Sequence, residues 1–519
     1  MKTVKLFAAF AAASLLFFSC GKEKNESPKD TTPAELKSFT LLAEDNDGLE
    51  VDYAVQSIAP EMVLRIPGGG IGKTLKATLT AGENDVIKVN DVDIADGKVS
   101  FNATFPVDVV VTNSKSGLVS SYVVKVGKIL NLVCSELPTY TETPDASHSL
   151  SSFVAANPVD GNLYLAYERQ LMVESTDSEK PGLVLEKYKN VSVVKWNGAA
   201  YEIVGNSGIA DNSSRATNIA EFDFDADGNA YVIHYGEKTA NTPGVKKFDG
   251  TSWSILGPQE FEDKINTTFG EATFYMDGGK PSFIVMSRTN IYHSAIFSFD
   301  GTAWNCKNDI PGTPAYDAAA KKDQFWRAVS LTDGDQTYIV SAYNQHGLYM
   351  HSVKNNTFTP LVSEFKPEGQ EYVLPNMTLR KGVDGKLYLL ASILEPAAMQ
   401  VFRYNEQAKI FETYTEPLTG YTIGGTLNSI QQPTTFFILP TGQFVVIRIK
   451  DEYPEYCMLD ENRKWTEWTK ASTKKHYSQC DAAMSKDGTI LMAYISRGDD
   501  KVNRIESSII KLEDDVLPE

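Results

Sequence analysis

Seven times along this chain a tight glycine turn leads into an alternating apolar run: "NPVDGNLYLAYER", "FDADGNAYVIHYG", "FYMDGGKPSFIVMS", "SLTDGDQTYIVSAY", "KGVDGKLYLLAS", "FILPTGQFVVIRIK" and "MSKDGTILMAYIS". The turn glycines are Gly161, Gly228, Gly279, Gly334, Gly385, Gly442 and Gly488, spaced by about 46 to 67 residues. A two-residue hairpin prefers positive φ at its centre, which Asp tolerates and Gly adopts freely, so each stretch predicts a hairpin. A second hairpin follows later in six of the units, as in "VKKFDGTSWSILG" and "IFSFDGTAWNCK". Four-strand units at a period of about 50 residues predict the blades of a β-propeller.

An aromatic residue sits shortly after each of those second turns: Tyr201, Trp253, Trp304, Phe358, Phe411 and Trp465. Their recurrence at one place in the unit argues for packing an outer strand on its neighbour, not for sugar platforms. The seventh unit supplies only three strands, ending in "RIESSIIKLEDD". The unassigned segment "KILNLVCSEL", Lys128 to Leu137, is expected to add the fourth, which spares the sheet an unpaired edge. The expected fold of 129–519 is therefore a seven-bladed β-propeller closed by an N-terminal strand.

Residues 35–128 read differently, as short alternating segments such as "MVLRI", "KATLTA" and "VDVVVTNS" broken by Gly and Asn turns. That pattern predicts an Ig-like β-sandwich, making the whole chain all-β. Within it lies "RIPGGGIGKTLKATLTAGEND", which invites a nucleotide-binding reading. A phosphate loop needs a first glycine where Pro67 stands and a helix afterwards, but "LKATLTA" alternates like a strand. A turn in the sandwich is expected, with no nucleotide. The closing "SGLVSSYVVKV" resembles the last strand of immunoglobulin-like or PKD-like modules of bacterial surface lipoproteins.

The first residues set the expected address. "MKTVK" is basic, "LFAAFAAASLLFF" is apolar but too short to span a bilayer, and "SC" ends it at Cys20. "LLFFSC" resembles a bacterial lipobox, which implies a signal peptide over 1–19, a lipidated Cys20 and a flexible tether over 20–34. "GKEKNESPKDTTPAE" is polar and charged, as a tether should be. Its acidic and Lys content is similar to the export signal of Bacteroidota surface lipoproteins. The resemblance implies an outer-membrane, lipid-anchored protein facing the exterior, of the kind that binds glycans in polysaccharide-utilisation systems.

Charge agrees with that address. Forty-nine basic against sixty-seven acidic residues leave a net charge of -18, which repels phosphate backbones and excludes nucleic acid as a partner. Contact with the membrane is expected through the lipid alone. Cys134, Cys306, Cys457 and Cys480 are widely spaced, with no C-x-x-C pair, so buried free thiols are expected.

In a propeller the tight turns share one end, and the longer loops share the other, where binding is expected. Candidate ligand-binding residues on that loop end are Trp326, Arg327, Tyr235, Arg288, Tyr343, His346, His476, Tyr477 and Arg497, with Asn376 beside them. Aromatic faces stack on sugar rings while Arg, His and amide groups meet hydroxyls. Trp326 stands out because it lies outside the repeating aromatic position. "DFDADGN" places Asp223, Asp225 and Asp227 like the front half of a calcium loop, but His234 occupies the twelfth position where a bidentate Glu belongs. No other cofactor is suggested.

Catalysis has fewer signs. "FDGTSW" and "FDGTAW" differ from the sialidase Asp-box in spacing, and no nucleophile elbow or H-E-x-x-H occurs. Arginines for a sialidase-like triad could be drawn from Arg169, Arg215, Arg288, Arg327 and Arg497 without any pattern fixing the choice. The expectation is a surface protein that binds a glycan without catalytic residues of its own. A propeller glycoside hydrolase or lyase is the alternative, and a protein-docking scaffold the third possibility. Carboxylates and arginines clustered in the channel would favour the enzyme.

Overall fold

The computed structural model describes residues 30–514, apart from 67–72, 95, 129, 143–146, 150–153, 177, 180, 186–189, 207, 210–216, 236–242, 259–271, 288–292, 316–322, 344–345, 371–375, 394–396, 425–428, 431–433, 461–462, 477 and 500–501. Cys20, Arg288 and Tyr477 lie outside the described residues, as do Arg215 and the glycines of GGGIGKT. The described chain is almost entirely β, with a single three-residue helical turn at Ala43–Asp45.

Two sheets build the N-terminal part. One orders Tyr53–Ala54, Leu36–Leu41, Thr74–Ala81 and Lys98–Asn102; the other orders Glu61–Ile66, Val119–Lys128, Val107–Asn113, Asp85–Val89 and Val92–Ile94. Alternate residues such as Phe39, Leu41, Leu64, Val109 and Val111 face one shared core between the sheets. The strand Thr74–Ala81 follows GGGIGKT directly and lies in the other sheet from Glu61–Ile66. No helix N-terminus follows the glycines, so the phosphate-loop geometry is absent.

Beyond Lys128 the described residues form six four-stranded antiparallel sheets and one of five strands, an arrangement consistent with a propeller. Their inner strands are Val154–Ala156 (with Ser147–Ser149 on the same neighbour), Thr217–Phe224, Thr273–Asp277, Phe325–Asp333, Met377–Lys381, Thr434–Ile438 and Ser478–Met484. Successive inner strands touch in that order, and the seventh touches the first. The outermost strand of the seventh sheet is Leu130–Glu136, paired along its length with Asn503–Asp514 from Leu130↔Asp514 to Glu136↔Ser508. This is the pairing expected from the missing fourth strand.

Separate apolar layers lie between neighbouring sheets, including one joining the seventh to the first through Leu491, Ile495, Val154 and Leu165. The repeated turns carry their own locks. Asp160 Oδ1 accepts the Asn162 N–H and Oδ2 the Tyr164 hydroxyl, both at 2.9 Å. Asp384 repeats this with Lys386 N–H at 3.1 Å and the Tyr388 hydroxyl at 2.9 Å. Gly161 and Gly385 hold φ of 71° and 77°, which is why glycine follows the aspartate.

The recurring aromatics are structural, as expected. Trp253 Nε1 donates to Val204 O at 2.9 Å, Trp304 Nε1 to Leu256 O at 2.8 Å and Trp465 Nε1 to Glu416 O at 3.2 Å. The indoles of Trp253 and Trp304 thus tie outer strands, and that of Trp465 the segment before one, to the chain leaving the preceding sheet.

Gln56 joins the sandwich to the tight-turn end of the other sheets. Its Nε2 donates to Leu459 O and Asp460 O at 2.9 and 2.8 Å, while its carbonyl accepts from Tyr414 Oη and Arg463 Nη2.

Candidate functional site

The inner strands surround a cavity of about 720 Å³ to which all seven sheets contribute. Strand alternation decides what reaches it. In Thr217–Phe224, Phe222 and Phe224 turn into the apolar layer beneath, and Glu221 and Asp223 turn to the cavity. In the fifth sheet Met377 and Leu379 are buried between sheets, while Asn376, Thr378 and Arg380 belong to the polar series lining the cavity.

Three carboxylates and two guanidiniums share this space: Glu221, Asp223, Asp481, Arg327 and Arg380. Solvent reaches Asp223, yet the surrounding walls withhold bulk water and push its carboxyl up to about 6. Its own hydrogen bond to the Phe224 N–H and the charge of Arg380 act against that rise. Desolvation pulls Arg380 down to about 10, opposed by Asp481 and Asp223. Arg380 also lies over the Phe437 ring, 5.3 Å from its centroid. Asp223 and Arg380 come near the ends of their inner strands, toward the tight turns; Asn376 and Arg327 come near the beginnings, toward the loops.

Of the sequence candidates, Arg327 lines the cavity. Trp326 is the extra residue where the register shifts between Phe325 and Arg327, a bulge that re-aims its side chain. The half-buried indole packs on the apolar layer between the fifth and sixth sheets, and its Nε1 is buried with no hydrogen-bond partner among the described residues. Asn376 Oδ1, in the adjacent inner strand, is likewise unpartnered.

Tyr343 is a core residue instead of a surface contact: it is 2% exposed, its hydroxyl donates to Thr313 Oγ1 at 2.8 Å, and burial pushes the phenol up to about 12. Its place at a strand end suggested loop exposure, but the bulky side chain falls on the buried face. His346 is bracketed by carboxylates, Nε2 at 2.6 Å from Asp323 Oδ1 and Nδ1 at 3.5 Å from Glu364 Oε1. Trp326, Arg327 and His346 therefore all belong to the fourth sheet's loop end.

His476 and Arg497 belong to other sheets. The His476 N–H donates to Glu452 O at 2.6 Å, with its ring 6.2 Å from that of Tyr494, and Arg497 is exposed at the end of Ile490–Arg497. Tyr235 closes the strand Ala230–Tyr235. Arg169 is buried against Glu142 at 3.2 Å, which removes it from a channel triad.

The three aspartates of the calcium-like motif go separate ways. Asp223 faces the cavity, while Asp225 accepts from the Asp227 and Asn229 N–H groups, the Asn229 amide and the Tyr231 hydroxyl at 2.7–3.1 Å. Asp225 thus plays the turn-locking part that Asp160 and Asp384 play elsewhere. Among the described residues no three His, Cys, Asp or Glu side chains are grouped to hold a metal ion. Cys134, Cys306, Cys457 and Cys480 are all free thiols; Cys457 is fully buried and the other three are half-buried.

No family model matches the chain, and no curated protein matches it in sequence. Among solved structures, a protein of unknown function from Dyadobacter fermentans is 12% identical, with a TM-score of 0.41 over 74% of this chain and 99% of its own. Trypanosoma rangeli sialidase in complex with sialic acid is 12% identical, with a TM-score of 0.37 over 72% of this chain and 58% of its own. The arabinanase of Bacillus subtilis is 9% identical, with a TM-score of 0.29 over 48% of this chain and 95% of its own. This chain spans a little under three fifths of the sialidase's length.

Proposed function

We propose that this chain is a surface lipoprotein in which an immunoglobulin-like spacer carries a seven-bladed propeller, and that the propeller's loop end binds an extracellular glycan. In this reading Cys20 carries the lipid and the outer membrane is the address, as the N-terminal sequence implies. The observation that carries the binding is the cavity: about 720 Å³, within the ~300–1,000 Å³ usual for ligand sites, lined by residues of every sheet and by polar side chains such as Glu221, Asp223, Arg327, Thr378, Arg380 and Asp481. Arg327 and Asn376 near its loop end supply donors and an acceptor for sugar hydroxyls, and Trp326 stands beside them.

A glycan array on the chain from Glu26 onward, run beside Trp326→Ala and Asn376→Ala with product analysis of each bound glycan, tests this. Binding without cleavage, weakened about tenfold or more by either substitution, is the expected result; a single lost sugar contact of about 1.4 kcal/mol accounts for a factor of ten. An array with no bound glycan overturns it and leaves protein docking as the better account.

One observation favours the hydrolase alternative: Asp223, with its carboxyl raised to about 6, shares the cavity with Glu221 and Asp481. A glycosidase needs one carboxyl kept protonated near neutral pH beside another kept ionised. Cleaved products that disappear in Asp223→Asn would move the assignment to this reading.

A further inference from the structure

A second cavity, of about 1050 Å³, lies between the N-terminal sandwich and the fourth and fifth sheets. Its walls come from the segment Pro33–Lys37 on one side and from strands and turns around Tyr338, Lys386 and Tyr404 on the other. Gln56 fixes the two parts relative to each other through its four hydrogen bonds, so this cleft is formed before any ligand arrives.

Its chemistry differs from that of the channel. Tyr338 and Tyr404 are half-buried on the apolar layer between the fourth and fifth sheets, and neither hydroxyl has a protein partner among the described residues. Burial and the Glu406 carboxylate both push these phenols up, which keeps them neutral donors. Lys37 pairs with Glu35, and Glu412 is taken by Arg403 at 3.7 Å and by the Asn405 amide at 2.7 Å. What remains is Lys386 and Lys409, which have no carboxylate partner among the described residues, against Glu406. In a chain with a net charge of -18, a cleft with unpaired cations to spare is an exception.

We propose that this cleft is a second binding site, for an acidic oligosaccharide, in which the tyrosines take sugar faces and hydroxyls and Lys386 and Lys409 take uronate carboxylates. Two ammonium groups lining one cleft suit a polymer with repeated charge, and tyrosine supplies an apolar face with a polar tip. The site is independent of the channel and of whatever the channel binds.

Calorimetry on the full chain tests this with oligomers of galacturonate, alginate, hyaluronan and chondroitin sulfate, beside neutral galactose oligomers. At least one acidic oligomer is expected to bind, with the neutral ones at least tenfold weaker. The double variant Lys386→Gln, Lys409→Asn should weaken it at least tenfold; asparagine tolerates the φ of 55° at position 409. Trp326→Ala, beside the channel's loop end, should leave it unchanged. Absence of binding by every acidic oligomer at millimolar concentration overturns the proposal. So does a double variant that binds like the parent, or loss of binding in Trp326→Ala alone.

Discussion

The backbone N–H of Val154 donates to Oδ2 of Asp481 across 2.9 Å, although 327 residues separate them. The bond joins the inner strand of the first sheet to that of the seventh, at the seam between the first and last sheets beyond Lys128. Similar ties run between other neighbours, such as Thr273 Oγ1 to Ala328 O at 2.7 Å, but those residues are close in sequence. The seam has the largest loop to close.

Asp481→Ala should therefore destabilise the protein by about 1–3 kcal/mol, the cost of leaving a buried N–H unmade. Asp481→Asn, which keeps an acceptor, should cost less. Urea midpoints for the three proteins check this, and equal midpoints for Ala and wild type would sink it.

Trp304 tests whether the repeated aromatics are structural. It is 8% exposed, lies edge-on to Phe283 with ring centroids 5.3 Å apart, and gives its indole N–H to Leu256 O. Trp304→Ala should cost about 3–5 kcal/mol, and Trp304→Phe, which loses chiefly the hydrogen bond, about 1 kcal/mol. Glycan binding by soluble Trp304→Phe should match the parent on the same array; selective loss of binding without loss of stability would make this tryptophan a sugar contact after all.

Much of this architecture was legible in the sequence because its signals are local. Asp-Gly turns and the aromatics behind them recur within a few residues of the strands they organise, and the missing fourth strand followed from counting. The cavity was less legible. Attention to loops favoured Tyr343, which the alternation of its strand buries, and passed over Arg380 and Asp481. A usable signal was present: "NMTLRK" alternates Asn376, Thr378 and Arg380 with Met377 and Leu379, and "EFDF" alternates acids with phenylalanines. Polar residues at every second place of an inner strand mark the channel wall. Convergence of Glu221, Asp223 and Arg380 depends on sheets far apart in sequence, and no local pattern encodes it.

Asp223 gives the protein a pH dependence whose sign can be worked out. Its folded pKa is raised to about 6 from an ordinary 3.8, so the folded state holds this proton more tightly than the unfolded state. Its stabilising contribution is full below about pH 4 and is lost as pH rises through about 6. Asp223→Asn cannot ionise, so its urea midpoint relative to wild type should improve between pH 4.5 and pH 8. A difference that stays constant across that range would show that the carboxyl titrates normally.

Gln56 governs how the sandwich meets the other sheets. Gln56→Ala removes the two bonds to Leu459 O and Asp460 O, together worth about 1–3 kcal/mol, while its backbone carbonyl can still accept from Tyr414 and Arg463. Interfaces between domains of one chain are held by few contacts, so weakening this one should release the sandwich before either part unfolds. Small-angle scattering should give a larger radius of gyration for the variant, with an unchanged urea transition for the sheets beyond Lys128. Adding a second substitution, Tyr414→Phe, should enlarge the change, because its hydroxyl also holds Gln56. Scattering identical to the parent in the double variant would mean that the sandwich is held by surfaces other than this clamp.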